Sequence, residues 1–382
     1  STNSSASRRV GGSVKRIQPL SLRANPAVHP LRGALQLKFL PPVLLLVSLL
    51  FAGCSPLYLL QAAYEEGKIL WRREPIDELL KRPDLDRETK EKFETVLAVR
   101  RFAKDRLKLR VDGSYSTYTK LDRSVLSYVL MAVPQTDLTP HQWWFFVVGN
   151  VPYKGYFSEE AATSEAESFQ ERGYDTLIRP VPAFSSLGWF DDPLLDHLLK
   201  YDKVTLAEVV LHELFHSTLF VSGAVGFNES LANFVGTRGA IDFTRERFGE
   251  GSPEHLQAVR KWEEELRFAR FINHAARSLR DLYQGDRSKE EKLRLREEVF
   301  SHSQEEWAAN MTTTPASRYR EYSRRKLNNA VIAHFLLYLG SFETFESLYQ
   351  SKGKDLPGLI KLIIDTVQES DEPLETIKGL SP

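Results

Sequence analysis

Apolar and polar positions along the chain change their spacing several times, and each change marks a group of elements. From Pro56 to Arg110 apolar residues recur three and four apart on a charged background, through Tyr58, Ile69, Ile76, Phe93, Val96, Val99 and Phe102, which predicts helices. The period changes near Tyr115. Ser124 to Val133 fits either a strand or a helix, and Trp143 to Val148 is a β-rich run closed by Gly149-Asn150. Glu159 to Arg172 predicts a helix stopped by Gly173. Asp175 to Val181 predicts a strand, and Val181 to Phe190 is a candidate sheet edge, since Pro180 and Pro182 suit an edge better than a centre. Beyond Gly236 the pattern is one of long charged helices, at His255–Tyr283, Ser288–Trp307 and Ser317–Leu339.

One helical stretch differs from the rest. Thr205 to Leu219 is apolar nearly all round, with a capping box expected from Thr205 and Glu208. Within it lies His212-Glu213-Leu214-Phe215-His216, an H-E-x-x-H motif. Positions four apart share a helix face, so His212 and His216 can bind one metal ion. Glu213 is placed to accept a proton from a metal-bound water rather than to ligate. Two imidazoles and a carboxylate in a buried helix need compensation, and a metal would supply it. A third ligand is offered by Glu229, thirteen positions after His216. The glycines of Ser222-Gly223-Ala224-Val225-Gly226 can turn the chain, and Asn228 is expected to cap a second helix with Glu229 in its first turn. Two His, one Glu and an open fourth position match a catalytic Zn²⁺ pattern.

Before these elements, Ser1 to Pro30 is rich in Ser, Arg, Gly and Pro and reads as disordered. Phe39 to Ala52 is an apolar run of about fourteen residues, suited to a signal-peptide core and shorter than a membrane span. Ala52-Gly53-Cys54 closes that run and resembles a bacterial lipobox, in which Cys54, the single cysteine, is lipidated. An uncleaved anchor or an ordinary secretory signal is the alternative. Ser55 after the cysteine favours the outer membrane, with the catalytic part facing the periplasm. The expected organisation is a leader over residues 1–53, a helical segment over 54–114, a core over 115–250 and a helical segment over 251–382. Lys and Arg total 51, as do Asp and Glu, so nothing in the charge points to nucleic acid. The lone cysteine excludes an intramolecular disulfide framework.

The phrases His212 to His216 with Phe227-Asn228-Glu229-Ser230-Leu231-Ala232 resemble a gluzincin metallopeptidase. Leu50 to Ser55, Tyr153 to Phe157, Leu187 to Pro193 and Leu327 to Ala330 narrow the resemblance to the bacterial putative aminopeptidase family of zinc-dependent lipoproteins. It covers the chain from Cys54 onward. One departure stands at Phe184, where relatives are expected to carry Tyr. The resemblance implies an α+β, mostly α fold: a zincin-like core with a small sheet before the metal-binding helix, and a helical C-terminal part. It implies a zinc peptidase, with His212, His216 and Glu229 as ligands, Glu213 as base and a peptide as substrate. The rival is a non-catalytic envelope lipoprotein with a structural or lost zinc site.

Other residues carry open readings. Tyr153 and Tyr156 could stabilise an oxyanion, a structural hydroxyl being favoured, and Trp143 and Trp144 are expected to pack in the core. His302 and His334 could donate to a transition state, an ordinary packed or surface role being favoured. Asn328 and Asn329 divide evenly between structural and functional roles. Asp191 and Asp192 are candidates for binding a substrate ammonium.

Overall fold

The computed structural model describes Tyr64, residues 67–122, Val125, residues 127–145, 149–181, 191–310 and 318–368, Ser370 and residues 372–380. The leader, Cys54 and the candidate edge beyond Val181, including Phe184, lie outside the described residues. The chain is mostly helical with small sheets. No helix among the described residues is long and apolar enough to cross a membrane.

Helix α1 (Ile76–Leu79) follows a two-residue strand, β1 (Glu74–Pro75), and α2 (Arg87–Asp105) is capped by Asp86, whose side chain accepts from Thr89 N. Phe93, Val96, Val99 and Phe102 of α2 are buried, at about 1.5–3 kcal/mol each. Strand β2 (Thr117–Thr119) pairs with β1 and, in parallel, with β8 (Leu194–Leu195).

In sequence, a second sheet falls between β2 and β8. Strand β3 (Ser127–Pro134) resolves the strand-or-helix ambiguity in favour of a strand. It is flanked antiparallel by β6 (Lys154–Tyr156) and β7 (Tyr174–Val181). Alternation gives β3 two apolar faces. Leu130 and Ala132 pack with Ala162, Ala166 and Phe169 of α3 (Glu159–Glu171). Met131 and Val133 pack with Ala330, Ala333 and Leu337 of α8 (Asn329–Leu339). Beside this sheet, β4 (Trp143–Phe145) and β5 (Gly149–Val151) form an antiparallel pair. On β4, Trp143 turns towards Phe169, whereas Trp144 points away and is 55% exposed, against the expectation of a core role for both.

Helix α4 (Lys203–Thr218) carries the H-E-x-x-H motif. Its cap differs from the expected capping box: Asp202 accepts from the backbone of Val204 and Thr205, and Thr205 Oγ1 donates to Asp202. Glu208 is thereby left for Lys261 and Arg318, at 2.6 and 2.8 Å. Helix α5 (Val225–Phe248) lies directly on α4. An added Cβ at Gly236 would stand 2.7 Å from Glu208 O and 3.2 Å from His212 Cβ, so the bare glycine lets the two helices approach. Around this pair pack α6 (Pro253–Gln284), α7 (Lys289–Asn310), α8, α9 (Phe342–Ser351), α10 (Leu356–Val367) and α11 (Pro373–Lys378). One apolar core runs from Ile76 to Ile377, so the N-terminal and C-terminal helices share it with α4 and α5. The described residues, Tyr64 to Leu380, belong to a single compact unit.

Candidate metal centre

Helix α4 presents His212 and His216 one turn apart on the face that meets α5. Beyond Thr218 the chain turns at Gly223, whose φ of +77° is a left-handed conformation natural to glycine. Asn228 does not cap α5, contrary to expectation; the helix starts earlier, at Val225. The amide of Asn228 instead reaches back across the turn. Its Oδ1 accepts from Val221 N at 2.9 Å, and its Nδ2 donates to Val221 O at 2.7 Å. Glu229 therefore enters in the second turn of α5, pinned beside α4.

His212 Nε2 and His216 Nε2 are 3.1 Å apart, with the rings nearly perpendicular at 82°. Glu229 Oε2 lies 3.4 Å from His212 Nε2 and 3.8 Å from His216 Nε2. Ligands about 2.0–2.1 Å from one tetrahedral ion stand about 3.3 Å from each other. The three separations bracket that value, so the donor set fits a zinc-sized ion. Among the described residues this is the only trio of His, Cys, Asp or Glu so gathered.

The electrostatics of the trio separate its members. Burial alone would raise the Glu229 carboxyl, but its hydrogen bond with His212 and the charges of His216, His212 and Arg179 hold it at about 2. Burial would lower His212, yet the hydrogen bond with Glu229 and the charges of Glu213 and Glu229 raise it. His216 is held down at about 4 by burial, so its ring is neutral near pH 7. Its Nδ1 has no hydrogen-bond partner among the described residues. Glu213 stands outside the trio. Burial, reinforced by the charges of Glu229 and Asp192 and opposed by that of His212, raises its carboxyl to about 7.

Other walls come from distant parts of the chain. Tyr153 OH donates to Glu229 Oε1 at 3.4 Å, so this tyrosine belongs to the site. Tyr156 is engaged elsewhere, bonding Glu165, which Lys154 also bonds, at 2.7 Å. From α8, the Tyr338 ring lies 6.4 Å from the His212 ring and 5.3 Å from that of His334. Burial and the charges of Arg179 and Arg325 hold His334 neutral, at about 3. Arg179 Nη2 donates to Tyr338 OH at 2.7 Å. Sequence reasoning missed Arg179 and Tyr338. The available signals were a basic residue near the end of a predicted strand and a tyrosine four residues after His334.

Of the remaining candidates, all but Asp192 are structural or peripheral. His302 is exposed. Asn328 caps α8 and donates to Thr176 O at 3.0 Å; Asn329 donates to Pro134 O and Asp137 O and accepts from Tyr283 OH. These bonds tie α8 to the sheet. Asp191 Oδ1 accepts from Gly113 N at 2.8 Å and shapes a turn, while Asp192 is buried and its charge reaches Glu213.

Comparison with curated proteins and with solved structures finds no match. Residues 57–373 match the model of the family described as "Putative aminopeptidase", a description that names peptidase activity, and the chain belongs to that family.

Proposed function

We propose that the chain is a zinc-dependent peptidase, specifically an aminopeptidase. The observation that carries this reading is the convergence of three donors at zinc-ligand spacing, with a second carboxylate, that of Glu213, on the same helix and outside the trio. His212, His216 and Glu229 would hold Zn²⁺, leaving one position open to substrate. When bound, the ion supplies Lewis-acid chemistry at the scissile carbonyl.

The residues of the chain do the proton work. Glu213 accepts a proton from the attacking water at a carboxylate oxygen and later delivers it to the nitrogen of the leaving amine. A carboxyl poised near 7 suits both directions of transfer. Tyr153 orients the third ligand through Glu229 Oε1, while Tyr338 and neutral His334 stand nearby as uncharged donors. Asp192 is the carboxylate we assign to the substrate's α-ammonium, because it is buried and close enough for its charge to be felt at Glu213. On the lipobox resemblance alone, we also propose that Cys54 anchors the protein by lipid to the envelope, facing the periplasm, with the outer membrane favoured.

The test is Glu213→Gln in the full chain. The variant should keep its zinc and lose peptide hydrolysis. Hydrolysis retained in the variant would contradict the mechanism.

A further inference from the structure

Arg179 sits on β7 opposite Val129 of β3, on the strand face that carries Asp175 and Leu177. Leu177 packs against the cluster that includes Ala330, Ala333 and Leu337, so this face looks towards α8 and the site. The guanidinium lies 5.6 Å over the Tyr338 ring and donates one hydrogen bond, to Tyr338 OH. No carboxylate among the described residues lies within ion-pair distance of it. Residues 182–190, which follow β7 in the sequence, contain no Asp or Glu. Elsewhere Arg296 pairs with Asp175 and Arg318 with Glu208 and Glu265, whereas Arg238, like Arg179, bonds a tyrosine hydroxyl, that of Tyr349 at 3.1 Å. A guanidinium presents five donors in a planar fork matched to a carboxylate, and this one uses a single donor on a neutral phenol. The Tyr338 ring that it holds lies 6.4 Å from the His212 ring and 5.3 Å from that of His334, which puts the guanidinium beside the candidate site.

We infer that Arg179 is a carboxylate-binding subsite of the peptidase centre, one tyrosine ring away from His212, that selects substrates carrying a carboxylate near the scissile bond. The inference rests on the peptidase reading above. The carboxylate has two sources, the C-terminus of a short peptide or an acidic side chain.

The zinc-loaded full chain carrying Glu213→Gln binds without turnover, and calorimetry reads binding directly. Tri-alanine is compared with its C-terminal amide, and Ala-Glu-Ala amide with Ala-Gln-Ala amide. One acid of these pairs should bind about tenfold or more tightly than its neutral partner, as a charge-assisted bond implies. Adding Arg179→Met should bring that ratio to about one, and Arg179→Lys should leave it above one. Tyr338→Phe removes the hydrogen bond but not the charge, and should keep the preference. No preference in either pair, or a preference that survives Arg179→Met, overturns the inference. A Tyr338→Phe variant that loses the preference as fully as Arg179→Met also overturns it, because Arg179 would then serve only to hold Tyr338. Failure of the peptidase reading looks different: the parent chain would bind acids preferentially and hydrolyse nothing.

Discussion

Asn228 brackets Val221, accepting from its N–H at 2.9 Å and donating to its carbonyl at 2.7 Å, one residue before the third candidate ligand. The amide closes the turn between α4 and α5 as a backbone pair would. It sets where Glu229 emerges, and it is 1% exposed. Asn228→Ala leaves two backbone groups of Val221 without these partners. It should cost about 1–3 kcal/mol of stability. Zinc affinity should fall by roughly tenfold or more, as for other residues that orient ligands. Urea midpoints and competition with a metal chelator measure both effects. Unchanged zinc affinity would show that the turn does not position Glu229.

The two glycines of α5 that face α4 should respond differently. At Gly236 a new Cβ meets the backbone oxygen of Glu208 at 2.7 Å, next to His212. At Gly239 the nearest atoms are side-chain methyls of Leu211 and Leu107, at 3.1 and 3.2 Å, which can rotate away. Alanine gains about 1 kcal/mol of helix propensity at either position. Overpacking against fixed backbone costs about 1–3 kcal/mol, so it wins at Gly236 and roughly cancels at Gly239. Gly236→Ala should therefore lower the denaturant midpoint and weaken zinc binding, while Gly239→Ala should be close to neutral. Equal effects would contradict the close approach of the helices.

Glu213 gives the metal-free protein a pH-dependent weakness. Its folded carboxyl titrates at about 7, above the ordinary 4.5, so folding favours its protonated form. The penalty is absent below about 4.5, grows as pH rises between the two values, and is complete above about 7. The gap corresponds to on the order of 3 kcal/mol. Glu213→Gln should thus stabilise the chelated protein at pH 8 and change it little at pH 4. Thermal or urea unfolding of parent and variant across that range gives the difference. A stabilisation independent of pH would assign the effect to packing instead of charge.

The gathering of His212, His216 and Glu229 was legible because its signals are local. A four-residue spacing on an apolar helix and a nearby Glu after a glycine turn require no knowledge of the fold. The same locality explains the errors. Asn228 has the chemistry of a helix cap, but a tertiary contact with Val221 claims its side chain, and α5 begins at Val225 instead. Thr205 and Glu208 have capping-box spacing, yet Asp202 takes the cap and Lys261 and Arg318 take Glu208. Strand β7 and helices α3, α6 and α7 followed from periodicity, but Ser317–Leu339 is not one long helix: a 3-10 turn at Arg320–Ser323 ends before α8 begins at Asn329, capped by Asn328, and the two- and three-residue strands β1, β2 and β8 are too short to show a period. Ser124 to Val133 could not be decided by pattern because it is apolar on both faces. Arg179 and Tyr338 join the site only when β7 and α8 are packed together, 159 residues apart in sequence. No spacing rule reaches across that distance.

The central claim is that His212, His216 and Glu229 together hold zinc. Metal content by mass spectrometry on the purified full chain, compared with Glu229→Ala, tests it most directly. Close to one zinc per parent chain is expected, with a sharp fall in the variant despite unchanged folding by circular dichroism. A parent chain that takes up no zinc even when it is supplied, or a variant that retains it fully, would contradict the account.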